Sequence, residues 1–157
     1  MSEKVININY REYESKDMLP LEYRELLKNA AEAADCAYAP YSNFKVGAAV
    51  KMSNGTVVTG SNQENAAYPS GLCAERVALF HAHHSFPHDA VEAIAVIAKD
   101  KEGNLTPELT VPCAACIQVL VESEKRGKSQ IAIIIGSATK VLMVDSVQNL
   151  LPFSFCK

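Results

Sequence analysis

The sequence predicts an α/β fold with three layers, α/β/α, in which a mixed five-stranded sheet has helices on both faces. Three observations support this class. The chain contains an Asn54-Gly55 pair between apolar runs, helix-like patterns that alternate with strand-like ones, and three short apolar runs typical of buried strands at residues 93–98, 131–135 and 141–144. At 157 residues, the chain is expected to form a single domain over residues 1–157.

The first half predicts one helix and one hairpin. Residues 1–18 form an N-terminal extension, in which alternating apolar and polar residues at 6–10 give a weak strand signal. A helix begins at Pro20 and ends before Pro40; its apolar stripe consists of Leu26, Leu27, Ala30, Ala31, Ala34 and Ala37. Strands at 46–52 and 56–60 then flank Asn54-Gly55, the strongest short hairpin signal.

The second half alternates helices with strands. A polar loop at 61–71 leads to a helix from about Cys73 to about His83, and a second helix is predicted at 113–126. Only residues 136–140 separate the last two strands. That connection is too short for a parallel crossover, so these strands should pair antiparallel. Ser146 is the predicted N-cap of a last short helix.

Composition narrows the possible functions. The chain is 48% hydrophobic and 21% charged, which is ordinary for a globular protein, and its net charge of −3 is spread along the sequence. Without a basic stripe, a polynucleotide substrate is not expected. No apolar run has the length of a signal peptide or a membrane span, so no membrane partner is expected. Five cysteines without a secretion signal point to the reducing cytoplasm and to thiols used as ligands.

The most distinctive pattern combines cysteines with one glutamate, in Cys73-Ala74-Glu75-Arg76 and Pro112-Cys113-Ala114-Ala115-Cys116. Cys113 and Cys116 are three residues apart, so both sulfurs fall on one face of a helix start. With Cys73 as the third ligand, a zinc ion would keep an open fourth position, which is typical of catalytic zinc. Glu75 can then act as a base beside the bound water.

Two other interpretations of the cysteines remain open. Cys113 and Cys116 could form a redox pair, or the zinc could be structural, although no fourth ligand is evident. Cys36 has no partner at metal spacing and is expected to be a small buried residue on an apolar helix face. Three thiolates leave a net negative site, which positive helix N-termini would offset. Arg76 could balance this charge at the sulfurs or form a surface ion pair.

Five segments of the chain, in this order, resemble the small cytidine deaminases: Tyr41-Ser42-Asn43-Phe44, Val46-Gly47-Ala48-Ala49, Asn62-Gln63-Glu64-Asn65-Ala66, Cys73-Ala74-Glu75-Arg76 and Pro112-Cys113-Ala114-Ala115-Cys116. The likeness runs from about residue 20 to residue 155. The resemblance implies a cytidine-deaminase-like fold with one zinc ion (Zn²⁺) per chain. It also implies hydrolytic deamination of cytidine and 2′-deoxycytidine to uridine and 2′-deoxyuridine, with release of ammonia, in pyrimidine salvage. Glu75 would carry the protons.

The same resemblance implies the substrate contacts. Asn62 and Glu64 would bind the ribose hydroxyls, Phe44 would pack on the pyrimidine, and Ala74 would also contact the substrate. Residues that reach a neighbouring subunit's site in a homotetramer with shared active sites would be Ala66, Tyr68 and Phe155. Alternatively, Phe44 is a core residue, and Asn62 and Glu64 are turn residues.

The chain departs from the usual residues of that family at three positions: Val111 replaces Ser, Ala114 replaces Gly and Ile117 replaces Arg. Two alternative functions are therefore kept. One is deamination of another aminated nucleoside analogue, and the other is a zinc-binding scaffold with impaired catalysis. The presence of Glu75 argues against the scaffold, because a scaffold has no need of a proton carrier.

Overall fold

The computed structural model describes residues 1–155. In this part of the chain there are three α-helices, α1 (Leu21–Ala34), α2 (Ala74–Ser85) and α3 (Ala114–Gly127). The six strands are β1 (Arg11–Tyr13), β2 (Lys45–Met52), β3 (Val57–Ser61), β4 (Val91–Lys99), β5 (Ala132–Gly136) and β6 (Val141–Val144). Three short 3₁₀ helices lie at Lys16–Met18, Tyr68–Ser70 and Val147–Leu150. No helix within the described residues is both long enough and apolar enough to cross a membrane.

All six strands form one mixed sheet in the order β1-β6-β5-β4-β2-β3. Strands β4 and β5 are parallel, and the other neighbours are antiparallel. The antiparallel β5–β6 pair confirms the expectation drawn from the short connection at 136–140. The predicted hairpin is β2–β3, and its turn has Gly55 at φ 84°. Only glycine adopts that conformation without strain.

The helices cover both faces of the sheet, which confirms the three-layer α/β/α prediction. Strand β4 shows the arrangement, because successive side chains of a strand point to opposite faces. Ala93, Ala95 and Ile97 belong to the buried cluster that includes α1. The alternate residues Ile94, Val96 and Ala98 belong to the cluster that includes α2 and α3. A strand buried on both faces is apolar almost without interruption, and this is why residues 93–98 were recognisable.

Two glycines allow helices to approach the sheet closely. A β-carbon at Gly47 would lie 1.9 Å from the carbonyl oxygen of Ala30 in α1, and one at Gly60 would lie 2.4 Å from the backbone nitrogen of Ala78 in α2. Neither distance is sterically possible, so both helices can take these positions only against glycine. Gly60 therefore helps to set where α2 lies, and α2 begins next to Cys73.

The predicted five-stranded sheet is wrong by one strand. Strand β1 pairs with β6 and forms the edge of the sheet. The weak signal at residues 6–10 precedes β1 in an exposed segment without regular structure. Tyr13 of β1 packs against the cluster on the α1 side of the sheet. Ion pairs join Arg11 to Asp145 and Glu12 to Lys140. These partners are more than 120 residues apart in the chain, so no local pattern could predict the strand.

The first helix ends earlier than the sequence suggests. It stops at Ala34, and Cys36 is exposed rather than buried on a helix face. The chain leaves the helix because Tyr38 pairs with the strand-like segment after β3: its N–H donates to the carbonyl of Asn62, and its carbonyl accepts from the N–H of Glu64. These bonds replace the helical ones. Ser146, in contrast, caps the last 3₁₀ helix as predicted.

Candidate active site

Three thiols meet where α2 and α3 begin. Cys73 is the N-cap residue of α2, Cys113 is the N-cap residue of α3, and Cys116 lies in the first turn of α3. Their Sγ atoms all lie within 4.8 Å of one another, and those of Cys113 and Cys116 are 3.6 Å apart. Within residues 1–155 this is the single group of three or more potential metal-binding side chains, so none of the histidines joins one.

The local backbone keeps the sulfurs available. Cys73 and Cys113 have extended backbone conformations, with ψ of 154° and 160°, and neither thiol makes a side-chain cap hydrogen bond to its helix. A helix start carries a partial positive charge from its free N–H groups, which favours thiolates nearby. Both ligand segments were predicted at helix starts, and the structure confirms this.

The thiols influence one another's ionisation. Burial raises the pKa of Cys113, but hydrogen bonds from the backbone of Cys116 and Ala115 and from neighbouring thiols outweigh it, so the pKa is lowered overall. The pKa of Cys116 is raised by burial and by the negative charges of Glu75 and Cys73. Several anions this close cannot all ionise without a cation. Three thiolate donors around an open position are a donor set that zinc accepts, so these residues fit a zinc ion.

Glu75 lies beside the thiols in the first turn of α2 and is only 5% exposed. Burial raises the pKa of its carboxyl group. Hydrogen bonds from its own backbone N–H and from the Cys116 thiol, together with the charge of Arg76, lower that pKa in part. A buried carboxyl group next to a metal site is suited to proton transfer at neutral pH.

Arg76 is held against the first cysteine. One guanidinium nitrogen donates to Cys73 Sγ at 3.7 Å, while Nε is buried without a partner. Among the described residues, no acidic side chain forms an ion pair with Arg76, so the alternative of a surface ion pair gains no support. Its charge is placed where it can offset the thiolates.

A cleft of about 590 Å³ opens beside Cys73 and Arg76. Four of the predicted substrate residues line it: Asn62, Glu64, Ala66 and Tyr68. Sequence reasoning assigned no substrate role to several others that line it: Tyr41, Ser42, Gln63, Asn65, Pro69, Gly71 and Leu72. Tyr41, Ser42, Gln63 and Asn65 lie inside the recognised motifs, and this is the signal that could have found them.

Asn62 and Glu64 brace the neighbouring loop. The Asn62 amide accepts from the N–H of Val46 at 2.8 Å and donates to the carbonyl of Phe44 at 2.9 Å. Glu64 Oε2 accepts from the N–H groups of Tyr41 and Ser42 at 2.9 and 3.3 Å. Hydrogen bonds from Ser42 and Tyr41 lower the pKa of Glu64, so it is an ionised acceptor at neutral pH. Each side chain keeps further hydrogen-bonding capacity, so a structural role does not preclude a ligand.

Phe44 and Ala74 do not line the cleft itself. The Phe44 side chain is 39% exposed, so the alternative that it is a core residue is wrong. It follows Asn43, which has a positive φ of 56° that asparagine tolerates better than most residues. Ala74 is fully buried as the first residue of α2, between Cys73 and Glu75.

Two aromatic residues of the predicted substrate site, Tyr68 and Phe155, lie largely uncovered by their own chain. Tyr68 is 91% exposed at the rim of the cleft, and Phe155 is 72% exposed. Phe155 does not line the cleft beside Cys73; it lies at a second one, between α2 and α3, with Leu79, Phe80 and Val119. Neither ring gains much from burial within one chain.

The three departures from the family pattern cause no visible strain. Ala114 is the first residue of α3 and has no positive φ, so the missing glycine costs nothing there. Ile117 is buried in the core cluster beneath α3, where a cation would be costly. Val111 is exposed.

Residues 21–131 match the family model described as "Cytidine and deoxycytidylate deaminase zinc-binding region". A cytidine deaminase of Halalkalibacterium halodurans is 40% identical over 130 residues, which cover 83% of this chain and 91% of the relative. The crystal structure of a Burkholderia pseudomallei cytidine deaminase is 38% identical with a TM-score of 0.71, over 85% of this chain and 98% of that one. The crystal structure of a Mycobacterium tuberculosis cytidine deaminase is 33% identical with a TM-score of 0.68, over 88% of this chain and 100% of that one.

Proposed function

The chain belongs to the cytidine deaminase family, and we propose that it removes the 4-amino group of cytidine and 2′-deoxycytidine by hydrolysis. The products are uridine or 2′-deoxyuridine and ammonia. The observation that supports this most directly is the buried Glu75 beside three thiols at two helix starts. This arrangement joins a zinc site to a proton carrier, and the adjacent cleft admits a small nucleoside.

Zinc is the cofactor of this family, and Cys73, Cys113 and Cys116 would hold it here. When bound, zinc activates a water molecule as a nucleophile at neutral pH. The chain contributes the geometry: two helix starts direct three sulfurs to one point, and Arg76 offsets their charge. One zinc ion per chain is proposed.

Glu75 moves the protons of the reaction. Its carboxylate takes a proton from the attacking water and delivers it to ring N3, which makes C4 electrophilic. The water oxygen bonds to C4, and Glu75 then transfers the second water proton to the amino group. The C4–N4 bond breaks and ammonia leaves. Burial keeps the pKa of Glu75 raised, so the carboxyl group can both accept and return a proton.

The substrate is held at the other end of the cleft. We propose that Glu64 accepts a hydrogen bond from one ribose hydroxyl and that the Asn62 amide donates one to a ribose hydroxyl, because both side chains line the cleft and retain unused hydrogen-bonding capacity. Phe44 would pack on the pyrimidine ring. Ala74 would contact the base next to the metal ligands. A site that hydrogen-bonds a sugar rejects a free base, since its polar groups would remain unpaired.

We further propose a homotetramer in which neighbouring chains complete each site. Ala66 and Tyr68 lie at the rim of the cleft, and Tyr68 and Phe155 are largely exposed in a single chain. Aromatic side chains at such positions are typical of interfaces. Residues 1–157 would act as one domain with an extension at 1–18. The cytoplasm is the proposed location, because thiol ligands need a reducing compartment.

The proposal is tested by ultraviolet assays of the purified protein with cytidine, deoxycytidine, cytosine and adenosine, together with zinc analysis. We expect turnover of the first two, little with cytosine, and about one zinc ion per chain. Preferential turnover of adenosine would favour a different aminated nucleoside. Zinc binding without any turnover would favour the scaffold. Active, metal-free protein with a Cys113–Cys116 disulfide would refute the zinc mechanism.

A further inference from the structure

A glutamine side chain holds the backbone of Phe155 at two points. Gln118 Nε2 donates to the Phe155 carbonyl at 2.8 Å, and the Phe155 N–H donates to Gln118 Oε1 at 3.0 Å. Gln118 lies in α3, two residues after Cys116. We propose that Gln118 is a positioning residue that fixes the direction in which the Phe155 ring projects. The inference rests on the proposed role of Phe155 at a neighbouring subunit's site.

The same helix also holds the start of this C-terminal segment. Glu124 Oε1 accepts from the N–H groups of Ile131 and Val147 at 2.8 and 2.9 Å, and from the hydroxyl of Ser146 at 3.0 Å. The segment 146–155 is therefore attached to α3 at Glu124 and again at Gln118. The buried Val147 and the cap at Ser146 strengthen the first attachment.

The second attachment has no comparable support. The Phe155 ring is 72% exposed, so burial within the chain holds it weakly. Residues this close to a terminus tend to fray unless something fixes them. Gln118 bonds both the donor and the acceptor of one peptide residue, as a neighbouring strand would, and so restricts backbone rotation there. The ring itself stays free to contact another chain.

The two hydrogen bonds between Gln118 and Phe155 form a clamp, and its attachment to the rigid helix α3 has a functional consequence. Its first turn carries Cys116, its next turn carries Gln118, and its later part carries Glu124. The metal ligands and the projecting aromatic ring are therefore placed by one element. In a symmetric assembly, a fixed ring direction in one subunit means a fixed ring position at the neighbour's site.

The kinetic test compares three variants. Gln118→Ala removes both hydrogen bonds and should raise KM about three- to tenfold, with kcat and zinc content nearly unchanged. Gln118→Glu keeps the acceptor but loses the donor to the Phe155 carbonyl, so an intermediate KM is expected. Glu122→Gln changes an exposed residue one turn along the same helix, at the same cleft, and should leave KM unchanged.

A double variant separates positioning from a general structural effect. If Gln118 acts through Phe155, then adding Gln118→Ala to Phe155→Ala should raise KM no further. If the two substitutions raise KM independently, so that the increase in the double variant is the product of the two single increases, the proposal is overturned. If Gln118→Ala lowers both kcat and the melting temperature, the proposal is also overturned, because that pattern indicates damage to the fold.

A second readout does not depend on activity. The chain has no tryptophan and six tyrosines, so Phe155→Trp introduces a single tryptophan at residue 155, which can be excited selectively over the tyrosines. Adding Gln118→Ala should lower its emission anisotropy and increase acrylamide quenching at least twofold, whereas Glu122→Gln should do neither. Unchanged anisotropy and quenching would refute the clamp directly.

The two readouts also distinguish this inference from the proposed function. If Phe155→Ala leaves KM unchanged, the shared site is wrong, and the positioning role falls with it even if fluorescence shows a clamp. If Phe155→Ala raises KM but Gln118→Ala alters neither KM nor fluorescence, the shared site stands and only the role of Gln118 is refuted. If Gln118→Ala changes both KM and the tryptophan fluorescence, and Glu122→Gln changes neither, the inference is supported.

Discussion

The two ends of the candidate cleft are built from different kinds of structure. At the zinc end, Cys73, Cys113 and Cys116 sit at the starts of two helices, and the neighbouring Glu75 is only 5% exposed. At the other end, where we propose that the sugar binds (the sugar end), the lining comes from loops around residues 41–42 and 62–72. Tyr68 at this end is 91% exposed.

This difference separates chemistry from recognition. Helix starts packed on a sheet hold the three thiols and Glu75 within one chain. Such preorganised groups are what the proposed proton transfer requires. Loops hold the groups proposed to bind the sugar, and the exposed aromatic ring of Tyr68 can be contacted by another chain. Substitutions at the zinc end should therefore abolish metal binding or turnover, whereas those at the sugar end should mainly weaken substrate binding.

The largest effect is expected from Cys116→Ala. Removing one of three thiol ligands should reduce zinc to well below one ion per chain and bring turnover below detection, because the metal would lose a buried donor. Elemental analysis and the ultraviolet assay measure both. Cys36→Ala is the control, since Cys36 is exposed and outside the thiol cluster. Full zinc content and turnover in Cys116→Ala would show that the ligand set is wrong.

Glu75→Gln should keep zinc and fold but reduce kcat by roughly 10²–10⁴-fold, because an amide cannot shuttle protons. Steady-state kinetics and zinc analysis on the same preparation test this. Glu25→Gln makes the same change on the exposed side of α1 and should retain full activity. Near wild-type turnover in Glu75→Gln would remove this residue from the mechanism.

At the sugar end, Glu64→Gln should raise KM for cytidine about tenfold and change kcat little, since a charged acceptor for the ribose is lost. The informative comparison is with cytosine, which has no ribose. The turnover of cytosine, already poor, should not fall further in Glu64→Gln. An equal loss for both substrates would mean that Glu64 supports the 41–46 loop rather than the sugar.

Phe155→Ala should give the smallest change, a rise in KM of about three- to tenfold with unchanged zinc content, because one aromatic contact is removed. Phe153→Ala removes another exposed ring two residues earlier and serves as the control. Light scattering on the unaltered protein should give a tetramer. A monomer that turns over cytidine fully would refute the shared site.

Much of this architecture follows from residue identity and spacing. Asn54-Gly55 predicts the β2–β3 turn, the apolar run at 93–98 predicts the central strand β4, and the short 136–140 connection predicts an antiparallel pair. Cys113, Cys116 and Glu75 are recognisable because zinc chemistry requires these residue types near one another. These features depend on local geometry or on the chemistry of few side chains, so they can be inferred without coordinates.

Other features depend on partners far apart in the chain. Strand β1 exists because β6 offers it a free edge, and Cys36 is exposed because the Tyr38 backbone bonds to Asn62 and Glu64 instead of continuing a helix. The prediction of a buried Cys36 was wrong because the apolar stripe of α1 was extended past the point where these bonds begin.

The hydrogen bonds between Gln118 and Phe155 are the clearest case of this kind. A glutamine on a helix and a phenylalanine near the C-terminus carry no pattern that links them over 37 positions. Residue types and their spacing could therefore identify the thiol cluster that fits zinc, the residue proposed as the proton carrier, and most strands. Only the packed chain could decide which loop meets which helix, because those contacts come from the combined burial and hydrogen bonding of distant segments.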